Sequence, residues 1–179
     1  MTTIPIHGVD GAFLITPEMH PDERGFFCAL DVPDNPLGDS RWCIARSSMS
    51  VIRGLHVKPC GPGHGFGEDK LVRCSAGSVF DVIVDLRKGS PTYRKWVSLI
   101  LDGNTQIAVW IPAGCAHGYQ ALEDDTDMTY RIDAKFEPDA DLLIAWDDPE
   151  LAINWPLYPT IMTERDRNAP SLAEVEKLL

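Results

Sequence analysis

Turn-forming residues cut the chain into short segments. Fourteen glycines and fourteen prolines stand among 179 residues, well above the roughly 12% that the two usually make up together. Long helices do not survive such spacing, because proline removes a backbone donor and glycine weakens a helix interior. Short strands joined by tight turns do. Between the breaks, side chains alternate. Over residues 79–86, Phe80, Val82, Val84 and Leu86 share one face, and Asp81 and Asp85 the other. Over 105–112, Ile107, Val109 and Ile111 oppose Ala108 and Trp110. Residues 96–101 are apolar on both faces, which predicts a strand between two sheets. Over 127–132, Met128, Tyr130 and Ile132 oppose Asp127, Thr129 and Arg131, which turns Tyr130 inward. Only the C-terminus reads as helix. Ser171 and Glu174 form an S-x-x-E capping box ahead of a Leu172, Val175, Leu178, Leu179 stripe. The expectation is a mainly β chain, one domain over residues 1–179, built as a sandwich or barrel with a short C-terminal helix. A sheet closed on itself leaves a lumen, and inward polar residues there form the natural site.

Composition removes several function classes. Sixteen Lys and Arg against 27 Asp and Glu give a net charge of −11, the wrong sign for a nucleic-acid binder. A hydrophobic share of 44% supplies a core. No apolar run approaches the ~20 residues that cross a bilayer. The first ten residues lack the basic and apolar regions of a signal peptide, so a cytoplasmic location is expected. Cys28, Cys43, Cys60, Cys74 and Cys115 form no C-x-x-C pair, which fits reduced thiols better than a zinc or redox site. The longest loop candidate is 58–69, with four glycines and two prolines.

Five places carry residues capable of chemistry, and each admits a plainer reading. In Arg53-Gly54-Leu55-His56, regular alternation sets Arg53 and His56 on opposite faces, whereas a bulge brings both to one site; His56 is either structural or catalytic. Lys70 shares a face with Val72, so it either guards an edge strand or points into a polar cavity. In Pro112-Ala113-Gly114-Cys115-Ala116-His117, a turn delivers His117 to the start of a strand. Tyr130 is either a core residue or an acid in a pocket. Asp166, in Thr163-Glu164-Arg165-Asp166, is either a solvated acid beside a helix or part of a site.

Taken together and in this order, these segments resemble the dTDP-4-dehydrorhamnose 3,5-epimerase family. The residues that carry the resemblance are Arg53-Gly54-Leu55-His56; Lys70-Leu71-Val72-Arg73; Asp81-Val82-Ile83-Val84-Asp85-Leu86-Arg87-Lys88-Gly89-Ser90-Pro91-Thr92; and Pro112 to Gly118. Arg24-Gly25-Phe26-Phe27, Trp146-Asp147-Asp148-Pro149, Ile153-Asn154-Trp155-Pro156 and Arg165-Asp166 add to it, so that it covers nearly the whole chain. The family implies a cupin-like double-stranded β-helix (jelly-roll) barrel, a homodimer, and catalysis without cofactor or metal. His56-Val57-Lys58 lacks the H-x-H pair of metal-binding cupins.

The implied reaction inverts C3, C5 or both in a 4-keto-6-deoxyhexose attached to a nucleoside diphosphate, within deoxysugar biosynthesis. A hydrogen beside a ketone is acidic because the carbanion delocalises onto oxygen. Inversion needs a base on one face, a proton donor on the other, and a cation near the enolate oxygen. By similarity His56 is the base, Asp166 orients it, Tyr130 is the donor and Lys70 stabilises the enolate. Arg53 binds the diphosphate, Arg24 does so from the partner subunit, and Phe27 and His117 complete the substrate contacts. Ala29 stands where family members carry the glutamate that helps hold the nucleotide base. Two other readings are a 3,4-ketoisomerase on the same class of substrate and a non-catalytic sugar-nucleotide binding cupin.

Overall fold

The computed structural model describes residues 1–30, 40–61, 65–133 and 141–179. In chain order the strands are β1 (Thr2–Pro5), β2 (Phe13–Thr16), β3 (His20–Asp22), β4 (Gly25–Phe27), β5 (Arg41–Ser47), β6 (Ile52–Val57), β7 (Cys60–Gly61), β8 (Gly65–Phe66), β9 (Lys70–Ala76), β10 (Ser78–Asp85), β11 (Trp96–Asp102), β12 (Ala108–Ile111), β13 (Cys115–Ala121), β14 (Thr126–Ile132) and β15 (Leu142–Leu143). Two short helices follow, α1 (Glu164–Arg167) and α2 (Leu172–Val175). Sheet one runs β1-β2-β12-β9-β14-β5 and sheet two runs β11-β10-β13-β6-β15. They face each other as a cupin-like jelly roll. The chain passes from sheet one to sheet two at Gly77, where φ is +72° and a Cβ would collide with Thr126; only glycine turns that corner without strain.

The two faces of β10 show how the alternation is used. Val79 and Ile83 point into the lumen with Val72, Val109 and Met128 of sheet one. Val82 and Val84 point the other way, under Ile144, Leu151, Leu172 and Val175 of the C-terminal segment. Each such apolar side chain contributes about 1.5–3 kcal/mol through burial. Asp81 and Asp85 are thus on the lumen side and fully buried, not on a solvated face. The C-terminal helix forms as its capping box predicts: the Glu174 carboxylate accepts from the Ser171 backbone N–H at 2.9 Å and its hydroxyl at 2.7 Å.

One expectation changes and one open alternative is decided. Residues 96–101 do not lie between sheets; β11 is the edge of sheet two, and Ile100 is 59% exposed. Apolar side chains on both faces are also what an edge strand carries when one of its faces awaits a cover. Lys70 is not an edge guard: β9 is interior to sheet one, and Lys70 is 7% exposed. Among the described residues, no helix is long and apolar enough to cross a membrane.

Candidate active site

One end of the lumen opens as a cavity of about 380 Å³, a size that suits a small organic ligand. Sheet two supplies Arg53 and His56 from β6 and His117 and Tyr119 from β13. Sheet one supplies Lys70 from β9 and Tyr130 from β14, and Glu68 enters from the segment before β9. The alternatives for β6 are decided by a bulge. His56 pairs with His117 and Arg53 with Tyr119, so three steps on β6 match two on β13. Gly54 takes up the extra residue at φ +124°, and a Cβ there would sit 2.5 Å from the Gly118 Cα. The bulge rotates Arg53 and His56 to one side.

His56 Nε2 lies 2.7 Å from Asp166 Oδ1. The second Asp166 oxygen accepts from the Thr163 hydroxyl at 2.7 Å, and Thr163 caps α1. Burial opposes ionisation of Asp166, but the hydrogen bonds from His56 and Thr163 outweigh it and hold its carboxyl below the ordinary value. This is a carboxylate–imidazole pair with its aspartate 4% exposed. A second such pair lies beside it: His117 Nε2 is 2.7 Å from Asp81 Oδ1. The His117 ring meets Tyr130 edge-on, with centroids 6.2 Å apart.

Lys70 Nζ lies 2.8 Å from Glu68 Oε1, and both side chains are buried. Burial raises the Tyr130 hydroxyl well above the ordinary phenol value; Tyr119 and Asp81 add to this and Arg53 opposes it. Tyr130 therefore keeps its proton at neutral pH and is a donor. Arg53 donates through Nε to Ser47 Oγ at 3.0 Å and through Nη2 to the Arg46 carbonyl at 2.9 Å.

Six of the eight residues singled out in the sequence thus surround or buttress one cavity. Arg24 and Phe27 do not line it within this chain. Arg24 is exposed and bonded to Asp22, and Phe27 is 69% exposed. Sequence reading missed Glu68, Asp81 and Tyr119. The signal for Tyr119 was its spacing, two residues beyond His117 and so on the same face. Asp81 was hidden by its grouping with Asp85 as a polar face; in a barrel with a site, the polar face is the inside one.

Residues 7–174 match the sequence model of the family described as dTDP-4-dehydrorhamnose 3,5-epimerase. The chain belongs to the dTDP-4-dehydrorhamnose 3,5-epimerase family. A 3,5-epimerase of this name from Sinorhizobium fredii is 38% identical over 171 residues, 90% of this chain and 85% of the relative. A solved epimerase of Mycobacterium tuberculosis superposes with a TM-score of 0.90 at 36% identity, covering 99% of this chain and 92% of that one. A dTDP-6-deoxy-D-glucose-3,5-epimerase of Legionella pneumophila, solved with dTDP-4-keto-L-rhamnose, gives 0.85 at 34% identity, with 96% and 93% covered.

Within this family member, some of the motifs that carried the resemblance are struts. Asp85 accepts from the Arg87 backbone and guanidinium, Ser90 and Thr92. Asp148 accepts from the backbone N–H groups of Glu150, Leu151 and Leu172, tying the C-terminal segment to α2.

Proposed function

We propose that the protein is a nucleotide-sugar epimerase, an isomerase that inverts C3, C5 or both in a 4-keto-6-deoxyhexose carried on a nucleoside diphosphate. The observation that carries this reading is the arrangement of three groups around one cavity. His56 stands on one sheet, Tyr130 on the sheet facing it, and the Lys70 ammonium beside Tyr130's strand. A sugar ring held between the sheets has a base on one face and a proton donor on the other.

In this reading His56 removes the hydrogen beside the C4 carbonyl, and Asp166 supports the imidazolium that forms. Lys70 stabilises the enolate oxygen, and Tyr130 returns a proton to the opposite face. Arg53 meets the diphosphate, because a guanidinium suits phosphate oxygens. His117 lies against Tyr130 and contacts substrate. Family membership supports the substrate class; the Legionella relative was solved with a dTDP-keto-sugar.

The enzyme acts as a homodimer in this proposal. β5 is an edge strand whose Trp42 and Ile44 are 65% and 73% exposed, and Phe26 and Phe27 of β4 are exposed as well. A second copy covering such a face buries apolar area and lets Arg24 and Phe27 reach the neighbouring cavity. Sedimentation equilibrium is expected to return twice the chain mass; a monomer at micromolar concentration would remove Arg24 and Phe27 from the site.

The test of activity is incubation with dTDP-4-keto-6-deoxyglucose in deuterated water. Deuterium is expected at C3, C5 or both, with inversion at the labelled carbon by NMR. A product with its carbonyl at C3 makes the protein a ketoisomerase. Binding of the nucleotide with no deuterium at either carbon makes it a binding module.

A further inference from the structure

Lys70 can stabilise an enolate oxygen only if its ammonium is held where that oxygen forms. A lysine does not secure this by itself, because its charge rides on a flexible four-carbon stem. Among the described residues, Glu68 is the carboxylate that it meets, with Oε1 2.8 Å from Lys70 Nζ. Each of the two residues is 7% exposed, and both line the cavity. An ion pair this deep adds little net stability, since desolvating two charges costs about what their attraction returns. Its place on the cavity wall calls for another use.

The backbone beside Glu68 is anchored. The carboxylate of the next residue, Asp69, accepts from the Ala113 N–H at 2.7 Å, and the Asp69 N–H donates to the Asp133 carboxylate at 2.9 Å. These bonds fix the entry to β9 against the turn before β13 and the end of β14. The other Glu68 oxygen, Oε2, lies 4.0 Å from Arg41 Nη2 on β5, another cavity-lining cation. One carboxylate thus stands between two cations, and the cluster keeps a net positive charge. An ammonium carries three N–H donors, more than one carboxylate oxygen occupies, so Lys70 can hold Glu68 and a ligand oxygen at once.

We propose that Glu68 is a positioning residue for Lys70: its carboxylate fixes the ammonium on the cavity wall, so that the positive charge is in place when the enolate forms. The inference rests on the epimerase reading. In the step concerned, His56 takes the proton from carbon. The C–H electron pair becomes the double bond of the enolate, and the carbonyl π pair moves onto oxygen. Lys70 meets that oxygen and keeps its own protons. Glu68 works only through Lys70, because a carboxylate by itself disfavours a second negative charge nearby.

The experiment compares wild-type enzyme, Glu68→Gln, Lys70→Met and the double variant on dTDP-4-keto-6-deoxyglucose in deuterated water. Both substitutions keep the length of the side chain, and a thermal melt checks that each protein is folded. Glu68→Gln is expected to lower kcat about ten- to a hundredfold, the size of one charge-assisted contact. Deuterium entry at C3 and C5 falls with it, and KM is little changed, as for an interaction made in the transition state. The Kd of dTDP, which carries no ketone, stays near the wild-type value. In the Lys70→Met background the sign turns. There the Glu68 carboxylate faces the enolate without its ammonium, so adding Glu68→Gln costs nothing further or restores part of the lost turnover. That comparison stands even if Glu68→Gln alone does not fold, because the double variant leaves neither charge of the pair behind. A wild-type kcat in Glu68→Gln, or a further loss on adding it to Lys70→Met, overturns the inference. Either result leaves the epimerase reading standing, since that depends on turnover by the wild-type enzyme.

Discussion

His56→Ala is expected to lower turnover by about a thousandfold or more, within the range that a positioned general base contributes, while binding of the nucleoside diphosphate stays near the wild-type level. The loss is large because, among the described residues, the other histidine that lines the cavity is already engaged. His117 is the neighbour across the strand pair, but its Nε2 is held 2.7 Å from Asp81 and its ring is fixed edge-on against Tyr130. Asp166 reaches the cavity only through His56 and is 4% exposed. Arg53 and Lys70 are untouched by the change, so calorimetric titration with dTDP should return a similar Kd. Washout of deuterium from C3- and C5-labelled substrate is the sharper reading, since the variant should release none at a measurable rate. Retention of a tenth of wild-type exchange would assign the base to another residue. A thermal melt guards against unfolding, because Asp166 keeps the Thr163 hydroxyl as partner and the fold should hold.

The largest effect on stability is expected from Asp85→Ala, a cost of about 3–5 kcal/mol, as when one partner of a buried ion pair is removed. Asp85 is fully buried and receives both arms of the Arg87 guanidinium at 2.8 Å. The Arg87 N–H donates at 3.0 Å, Ser90 at 2.5 Å and Thr92 at 2.6 Å. Arg87 also donates to the Asp10 carbonyl at 2.6 Å, so the carboxylate organises both its own loop and the N-terminal turn. Burial opposes its ionisation, yet these donors prevail and hold its pKa down to about 2. The folded value lies below the unfolded one. Its ionic contribution is therefore complete above about pH 4 and disappears as pH falls through about 2, a loss of roughly 2 kcal/mol. Denaturant titrations of both proteins at pH 7 and pH 2.5 check this. The variant should be less stable at pH 7, and the gap should narrow in acid. Equal stability at pH 7 would mean that the loop and the N-terminal turn hold without the Asp85 carboxylate.

The motif from Asp81 to Thr92 therefore has two kinds of content. Asp85, Arg87, Ser90 and Thr92 form a local bracket within eight residues, and a bracket of that kind is legible because its members are close in sequence. Asp81 holds His117, which lines the cavity, and nothing nearby in the chain says so. The same division holds for the helices. Ser171 and Glu174 announce α2 through a local cap. α1 has only four residues, and it exists to set Asp166, capped by Thr163, against a strand over a hundred residues away.

Alternation in 79–86 and 127–132, the glycine and proline breaks, and the Ser171 cap were sufficient to define a mainly β chain, sandwich or barrel, with an inward Tyr130 and a helical end. These follow from the two-residue period of a strand and from hydrogen bonds that close within four residues. The bulge at Gly54, which turns Arg53 and His56 to one side, belongs to the tertiary structure. So do the meeting of His56 with Asp166 and the Glu68 carboxylate on Lys70. Each depends on which strands become neighbours and in what register, a choice made by the packing of two whole sheets.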